Sequence, residues 1–334
     1  MLRSLYAGVS GMKANQVKLD VIGNNIANVG TTAFKSSRVR FQDMVSQSMS
    51  EALAPGTNQG GVNPKQVGLG VQVAGIDIMV GQGMMQPTSR NLDVAMDGEG
   101  YLMVAKGATP ETNSDGVTLV DTENTVDETG GLDLFYTRDG ALTLDDAGNL
   151  LNSDGLRVLG YTFGNLSYGD TEGEPILSYI AADGDLTPDD NLVPLAIPET
   201  ITDDDGTTIR IKTFSIEKNG VIKAVLEGGK VAILGQIAMA SFKNPAGLAK
   251  VGGNIYTNTS NSGTAVVRTV VGTDTADDNS AGYGDMLQGM LEMSNVDLAE
   301  QFTDMIIAQR AFQAAGKTIT TGDEILQEII NLKR

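Results

Sequence analysis

Two hydrophobic periodicities run along the chain, and their order defines its plan. Near the C-terminal end Leu298, Phe302, Met305, Gln309, Phe312, Gly316, Ile319, Asp323, Leu326 and Ile330 recur in steps of four and three, the spacing of one stripe on an α-helix. Unbroken over 297–332, such a helix would be roughly 50 Å long at 1.5 Å per residue. That exceeds the span of most compact domains and suits a coiled coil or an assembly contact. Ser294 followed by Asp297 reads as a capping box at its start. The N-terminal end obeys the same rule, with Leu2, Leu5, Val9, Met12, Gln16, Leu19, Gly23 and Ile26 stepping by three and four. Val9, Met12, Gln16, Leu19, Gly23 and Ile26 match Phe302, Met305, Gln309, Phe312, Gly316 and Ile319 in spacing and character. Two ends sharing this stripe read as coiled-coil partners; an ordinary pair of packed helices is the plainer alternative. Gln and Gly interrupt a two-stranded seam and fit a crowded helical array better. The first helix is expected to end near Asn28, where Asn and Gly supply the exit.

Between the ends the period falls to two. Val71, Val73 and Gly75 alternate, and Ile76, Ile78 and Val80 continue in shifted phase, which marks a bulge or bend. Tyr101, Met103 and Ala105 form another alternating run, and Val117–Val120 reads as part of a two-stranded flap. Asp139-Gly140 and Gly148-Asn149 supply tight turns, and a meander over 208–244 turns at Asn219-Gly220 and Gly228-Gly229. The piece EALAPGTNQGGVNPKQVGLG is linker-like; a loop of that length makes best sense packed against neighbouring copies. Pro188, Pro194 and Pro198 argue against a long regular element in the acidic stretch 164–208.

The expected fold class is therefore α+β and multidomain, with paired terminal coiled-coil helices as an inner domain and an inserted β-rich outer domain. Residues 1–30 and 286–334 are assigned to the inner helical domain, 31–70 to an extended linker and junction, 71–163 and 209–285 to the β-rich domain, and 164–208 to an acidic insertion or small subdomain.

Charge sharpens this division. The formal net charge is −19, and residues 97–210 hold 24 Asp or Glu against four Lys or Arg, a net of −20, while the remainder sums to +1. An acidic, solvent-facing middle and nearly neutral, contact-forming ends follow. The balance argues against nucleic acid as a partner. With no Cys and no His, disulfides, thiol nucleophiles, imidazole catalysis and the usual zinc, copper and haem ligand sets are excluded, and no cofactor is expected. No run approaches 18 apolar residues, so stable membrane insertion is not expected, and the first residues do not form a standard signal peptide. Asp145, Asp146 and Asp154 invite calcium, but without the EF-hand order. Asp139, Asp145 or Asp154 would be the carboxylates of a glycosidase, yet all sit in good turn sequences and the chain has no Trp. A carbohydrate- or surface-binding module is the competing function from another class. No catalytic, cofactor or metal residues are assigned.

The sequence from Leu19 to Met44, LDVIGNNIANVGTTAFKSSRVRFQDM, and that from Gly289 to Leu332 resemble the rod and hook axial family of the bacterial flagellum. So do LDVAMDGEGYLMV, YTRDGALTLDDAGNLL and FKNPAGLAKVGGNIY between them. The resemblance implies a secreted, non-enzymatic subunit that is exported through the flagellar type III apparatus and stacks helically around a channel. Asn295-Val296-Asp297-Leu298 is similar to the hook form and makes a hook subunit, part of a curved universal joint carrying motor torque to the filament, the expected function, with the distal rod as the alternative. The compact middle is similar to the distal rod, a straight drive shaft. Implied partners are many copies of the chain itself, rod and hook–filament junction proteins, the hook cap and the export apparatus. The implied assembly interface comprises Leu5, Val9, Met12, Gln16, Leu19, Gly23, Ile26, Leu298, Phe302, Met305, Gln309, Phe312, Gly316, Ile319, Leu326 and Ile330. Asn24, Asn25, Asn28, Thr31 and Phe34 would hold the junction between the two domains, with local capping or core filling as the alternative roles.

Overall fold

The computed structural model describes residues 2–56, 60–107, 117–120, 124–126, 132–164, 166–168, 175–181, 189, 191–203, 206–271 and 278–332. The chain divides into two compact units: Met1–Gly30, Lys35–Gly81 and Asn295–Arg334 form one, Thr31–Phe34 and Gln82–Ser294 the other.

The first unit is built on helices α1 (Leu2–Ala27) and α2 (Leu298–Leu332). They run antiparallel: Leu5 lies beside Gly322, Gly8 beside Ala315 and Thr318, and Met12 beside Gly316. Further along, Lys18 Nζ is 3.3 Å from Asp304 Oδ1 and Asn25 donates to Gln301. The cap of α2 is Asp297, not Ser294. Asp297 Oδ1 accepts from the amides of Ala299 at 2.8 Å and Glu300 at 3.3 Å, satisfying two donors that the first turn leaves open. Just before it, the Asn295 side chain is bonded to the backbone of Ser36, Met79 and Gly81.

Four strands complete this unit: β1 (Ser37–Asp43), β2 (Ser46–Ser50), β3 (Lys65–Gly68) and β4 (Val71–Ile78). β1 pairs antiparallel with β4, and β2 with β3 beyond them, so much of the stretch read as a linker is a long nested hairpin. All of β2 and β3 is exposed. A ribbon wet on both faces has no reason to alternate apolar and polar residues, so its period is silent in the sequence. The phase shift near Gly75 is a true bulge: Arg40 faces Gly75 while Phe41 faces Val73, leaving Ala74 unmatched. β4, grouped by its period with the β-rich region, belongs to the helical unit. Part of the linker-like piece, 57–59, lies outside the described residues.

The second unit is an antiparallel β body. Tyr101–Lys106 pairs with Asp133–Thr137, Arg157–Tyr161 and Met239–Ser241. Its residues alternate between two cores, Leu102 and Val104 joining one with Leu150, Val158 and Met239, Tyr101 and Met103 joining the other with Tyr136, Phe242 and Tyr256. Edge-to-face rings fix the second core, with Tyr136 and Phe242 centroids 4.8 Å apart. The meander Thr208–Ile216, Val221–Leu226, Val231–Ile237 forms as its turn residues require. Gly220 and Gly229 take φ of +86° and +79°, which favours glycine. Val117–Val120 pairs with Thr125–Val126. Within 164–208, Asn191–Pro194 and Thr200–Thr202 are strands added to the main sheet. Pro194 ends its strand; Pro188 lies outside the described residues.

Candidate assembly surface

The closest approaches in the seam between α1 and α2 are made at small residues. Ala308 and Gly322 are the buried positions of α2, and on α1 Gly8, Ala14, Ile22 and Asn25 are buried. A Cβ placed on Gly8 would lie 2.7 Å from Thr318 Oγ1 and 3.3 Å from the Ala315 carbonyl oxygen, so the helices approach closely enough here that a larger residue must displace a neighbour.

Only part of the stripe read from the sequence lies in this seam. On α1, Leu5, Met12, Leu19 and Ile26 are half-buried and Val9, Gln16 and Gly23 are exposed. On α2, Met305, Gly316, Ile319 and Leu326 are half-buried, while Leu298, Phe302, Gln309, Phe312, Asp323 and Ile330 are exposed. The cause is phase. The inward positions Gln301, Ala308, Ala315 and Gly322 recur every seven residues, one place before Phe302, Gln309, Gly316 and Asp323 of the stripe, so the seam keeps a heptad spacing but centres on small residues that a search for large apolar side chains passes over.

At the far end of the seam, backbone-seeking amides lock α1 to the hairpin. Asn25, 1% exposed, donates through Nδ2 to the Ser37 carbonyl at 2.8 Å and accepts from the Ser37 amide at 3.0 Å, acting as an added strand residue. Asn295 does the same from the other side. Its Oδ1 accepts from the Ser36 amide at 2.8 Å, and Nδ2 donates to the carbonyls of Met79 at 2.7 Å and Gly81 at 3.0 Å. Buried Lys35 donates to the same Gly81 oxygen at 3.0 Å. Asn295 stood within the hook-like motif, but nothing in its spacing announces this role. Asn24 and Asn28 bond to each other at the exposed end of α1, a local cap. Asn25→Ala removes two hydrogen bonds to a strand edge and leaves the Ser37 amide without its acceptor. A loss of about 1–3 kcal/mol is expected, read as a lower melting temperature of helical circular dichroism.

The remaining junction residues, Thr31 and Phe34, fold into the β body, where the Lys250 ammonium lies 4.6 Å above the Phe34 ring. Burial holds the Lys250 ammonium below the usual lysine range. Beside them sits a buried ion pair that the sequence did not flag. Arg138 Nε approaches Glu292 Oε2 at 3.3 Å, a charge contact without hydrogen-bond alignment. Glu292 also accepts from the Gly83 amide at 2.8 Å through its side chain and from the Ala33 amide at 2.8 Å through its carbonyl. Arg138 donates to the Gly98 carbonyl and lies 5.7 Å from the Tyr101 ring centre. Burial raises the Tyr101 phenol, against the lowering influence of Arg138.

The acidic residues considered for catalysis are absorbed by turns. Asp139 accepts from the Ala141 amide at 3.3 Å and from Ser153 at 3.4 Å, and Asp145 accepts from Asn149 at 2.6 Å and 2.8 Å. The Asp154 amide donates to Asn152 at 2.6 Å. Among the described residues no helix is long and apolar enough to cross a membrane.

A long helix pair with close approaches at small residues, half-exposed apolar side chains along it and a β body inserted in sequence between the two helices are the features of a structural subunit. Comparison with known proteins gives it a family. Residues 5–35 match the model described as flagella basal body rod protein, 125–224 that of the flagellar hook protein FlgE/F/G D1 domain, and 287–332 that of the flagellar basal body rod FlgEFG protein C-terminal. The flagellar basal-body rod protein FlgG of Bacillus subtilis is 41% identical over 338 residues, covering 100% of both chains. The flagellar hook protein FlgE of Borreliella burgdorferi is 32% identical over 473 residues, again covering 100% of both. Among solved structures, the Helicobacter pylori flagellar hook protein FlgE2 aligns with a TM-score of 0.38 and 11% identity over 62% of this chain and 100% of that one. The chain belongs to the flagellar hook and basal-body rod protein family and is a structural subunit of the flagellar axis.

Proposed function

We propose that the chain polymerises helically into the distal rod, with the α1–α2 pair forming the inner tube around the channel and the β body the outer layer. The polymer reading rests on one observation: among the described residues large apolar side chains of α2, Phe302 and Ile306 foremost, stay half exposed or more. Rod over hook is supported by length. The alignment to the rod relative runs 338 residues for a chain of 334, whereas those to two hook relatives run 473 and 505 residues because those proteins carry additional sequence. The hook reading draws support from 32% identity across the whole chain to one hook protein. On the rod reading the neighbours along the axis are other rod proteins on one side and the hook on the other. Delivery by the type III export apparatus is common to both readings, and the hook cap and hook–filament junction are neighbours only on the second.

Electron microscopy of basal bodies from cells lacking the gene separates them. Rods that stop short, with neither distal segment nor hook, are the expected result. Complete rods without hooks would transfer the assignment to the hook, and intact rods bearing hooks would remove both.

A further inference from the structure

The exposed apolar residues of α2 are not spread evenly. They cluster at its two ends. The first cluster centres on Phe302, Ile306 and Ile307, which are 50%, 59% and 55% exposed. The second holds Ile325, Ile329, Ile330 and Leu332, which are 45%, 50%, 65% and 86% exposed. Between them, residues 313–324 expose Gln, Lys, Thr, Asp and Glu and no large apolar side chain. From Phe312, 38% exposed, to Ile325 the polar interval is about 20 Å at 1.5 Å per residue.

The second cluster continues the seam. Ile319, Gly322 and Leu326 follow the inward face of α2, and Ile329 and Ile330 are the next positions in that progression. With Leu5 beside Gly322, antiparallel register places Leu2, the first helical residue of α1, near Ile325. Among the described residues nothing of α1 lies opposite Ile329 and Ile330, which continue the inward line of α2 yet are 50% and 65% exposed. The first cluster lies at the opposite end of the rod.

We propose that the C-terminal turns of α2, Ile325–Leu332, seat on the Phe302–Ile306 face of α2 in a second copy of this chain, head to tail. The inference rests on the polymer reading above and specifies which surfaces make its axial contact. Two different patches at opposite ends form a heterologous contact, the type that propagates as an open array rather than closing on itself. The seam glycines and alanines then belong to the subunit's own fold and the end patches to the polymer.

The chain lacks cysteine, so the contact can be trapped in assembled axes. The Phe302→Cys, Ile329→Cys double variant, expressed in place of the wild-type chain and oxidised in isolated flagella, is expected to run as a ladder of disulfide-linked copies on non-reducing gels. Phe302→Cys with Ala314→Cys, whose second position lies in the polar interval, is expected to stay monomeric. Mixing the two single variants Phe302→Cys and Ile329→Cys should yield linked pairs and nothing longer. Flagella that assemble with the double variant yet show no ladder, or a ladder equally strong with Ala314→Cys, would overturn the head-to-tail contact while leaving the polymer reading intact. Absence of the wild-type chain from isolated flagellar axes would instead refute the polymer reading.

Discussion

Glu292→Ala is expected to lower the stability of the β body by about 3–5 kcal/mol, the cost typical of stripping one partner from a buried ion pair. The Glu292 side chain is 0% exposed and that of Arg138 4%, so removing the carboxylate leaves the guanidinium enclosed beside Tyr101 without its counter-charge. The Gly83 amide loses its 2.8 Å acceptor in the same step. Glu292→Gln keeps the shape and an acceptor oxygen but not the charge, and should fall between wild type and alanine. Replacing both partners, Arg138→Met with Glu292→Leu, should recover most of the loss, because the desolvation cost of each ion disappears with its partner. Urea unfolding of the full chain followed by tyrosine emission reads this unit selectively. Of the eight tyrosines all but Tyr6 lie within 82–294, and there is no Trp. A midpoint for Glu292→Ala within the error of wild type would show that Arg138 finds compensation the structure does not contain.

The same pair illustrates where sequence reasoning stops. Terminal helices were legible because a 3.6-residue period persists over many turns, and the β body because its strands alternate between two cores around turns that need Gly220 and Gly229. The bulge opposite Arg40 left a phase shift that could be read directly. The seam could not be read correctly from a stripe of large residues, since its heptad line centres on Ala308 and Gly322, one phase away from Phe302, and leaves Phe302 and Phe312 exposed. The nested hairpin β2–β3 carries no amphipathic signal because no face of it is buried in the chain. Asn25 stood out in an Asn-rich stretch. Asn295 and Glu292 did not, because a polar side chain that satisfies distant backbone groups is recognisable only once the fold has brought those groups to it. Glu292 did leave one trace, a lone charge between Leu291 and Met293 in a short strand.

Two glycines of α1 offer the sharpest test of how the helix pair works. Gly8→Ala and Gly23→Ala make the same chemical change on the same helix, and alanine favours helix over glycine by about 0.5–1 kcal/mol at either site. Around Gly23 nothing lies within 4 Å, so the intrinsic gain should appear intact and the variant should melt slightly higher. At Gly8 the new methyl meets Thr318 Oγ1 at 2.7 Å, Ile319 Cγ1 at 3.2 Å and the Ala315 oxygen at 3.3 Å. Thr318 can rotate away only by giving up its 2.7 Å hydrogen bond to Ala315, and the Ala315 backbone, held in the helix, has to give by a few tenths of an ångström. Overpacking of this kind costs about 1–3 kcal/mol, enough to reverse the propensity gain, and Gly8→Val should be worse because it adds branching as well as bulk. Helical ellipticity against temperature on the monomeric chain measures both signs at once. Polymerisation supplies the second readout: Gly23 is open in the single chain, so a Gly23→Ala subunit that is more stable yet assembles poorly would place that open face against a neighbouring copy. If Gly8→Ala instead raised the melting temperature as Gly23→Ala does, the close approach of α1 and α2 would not be what holds the helix pair together.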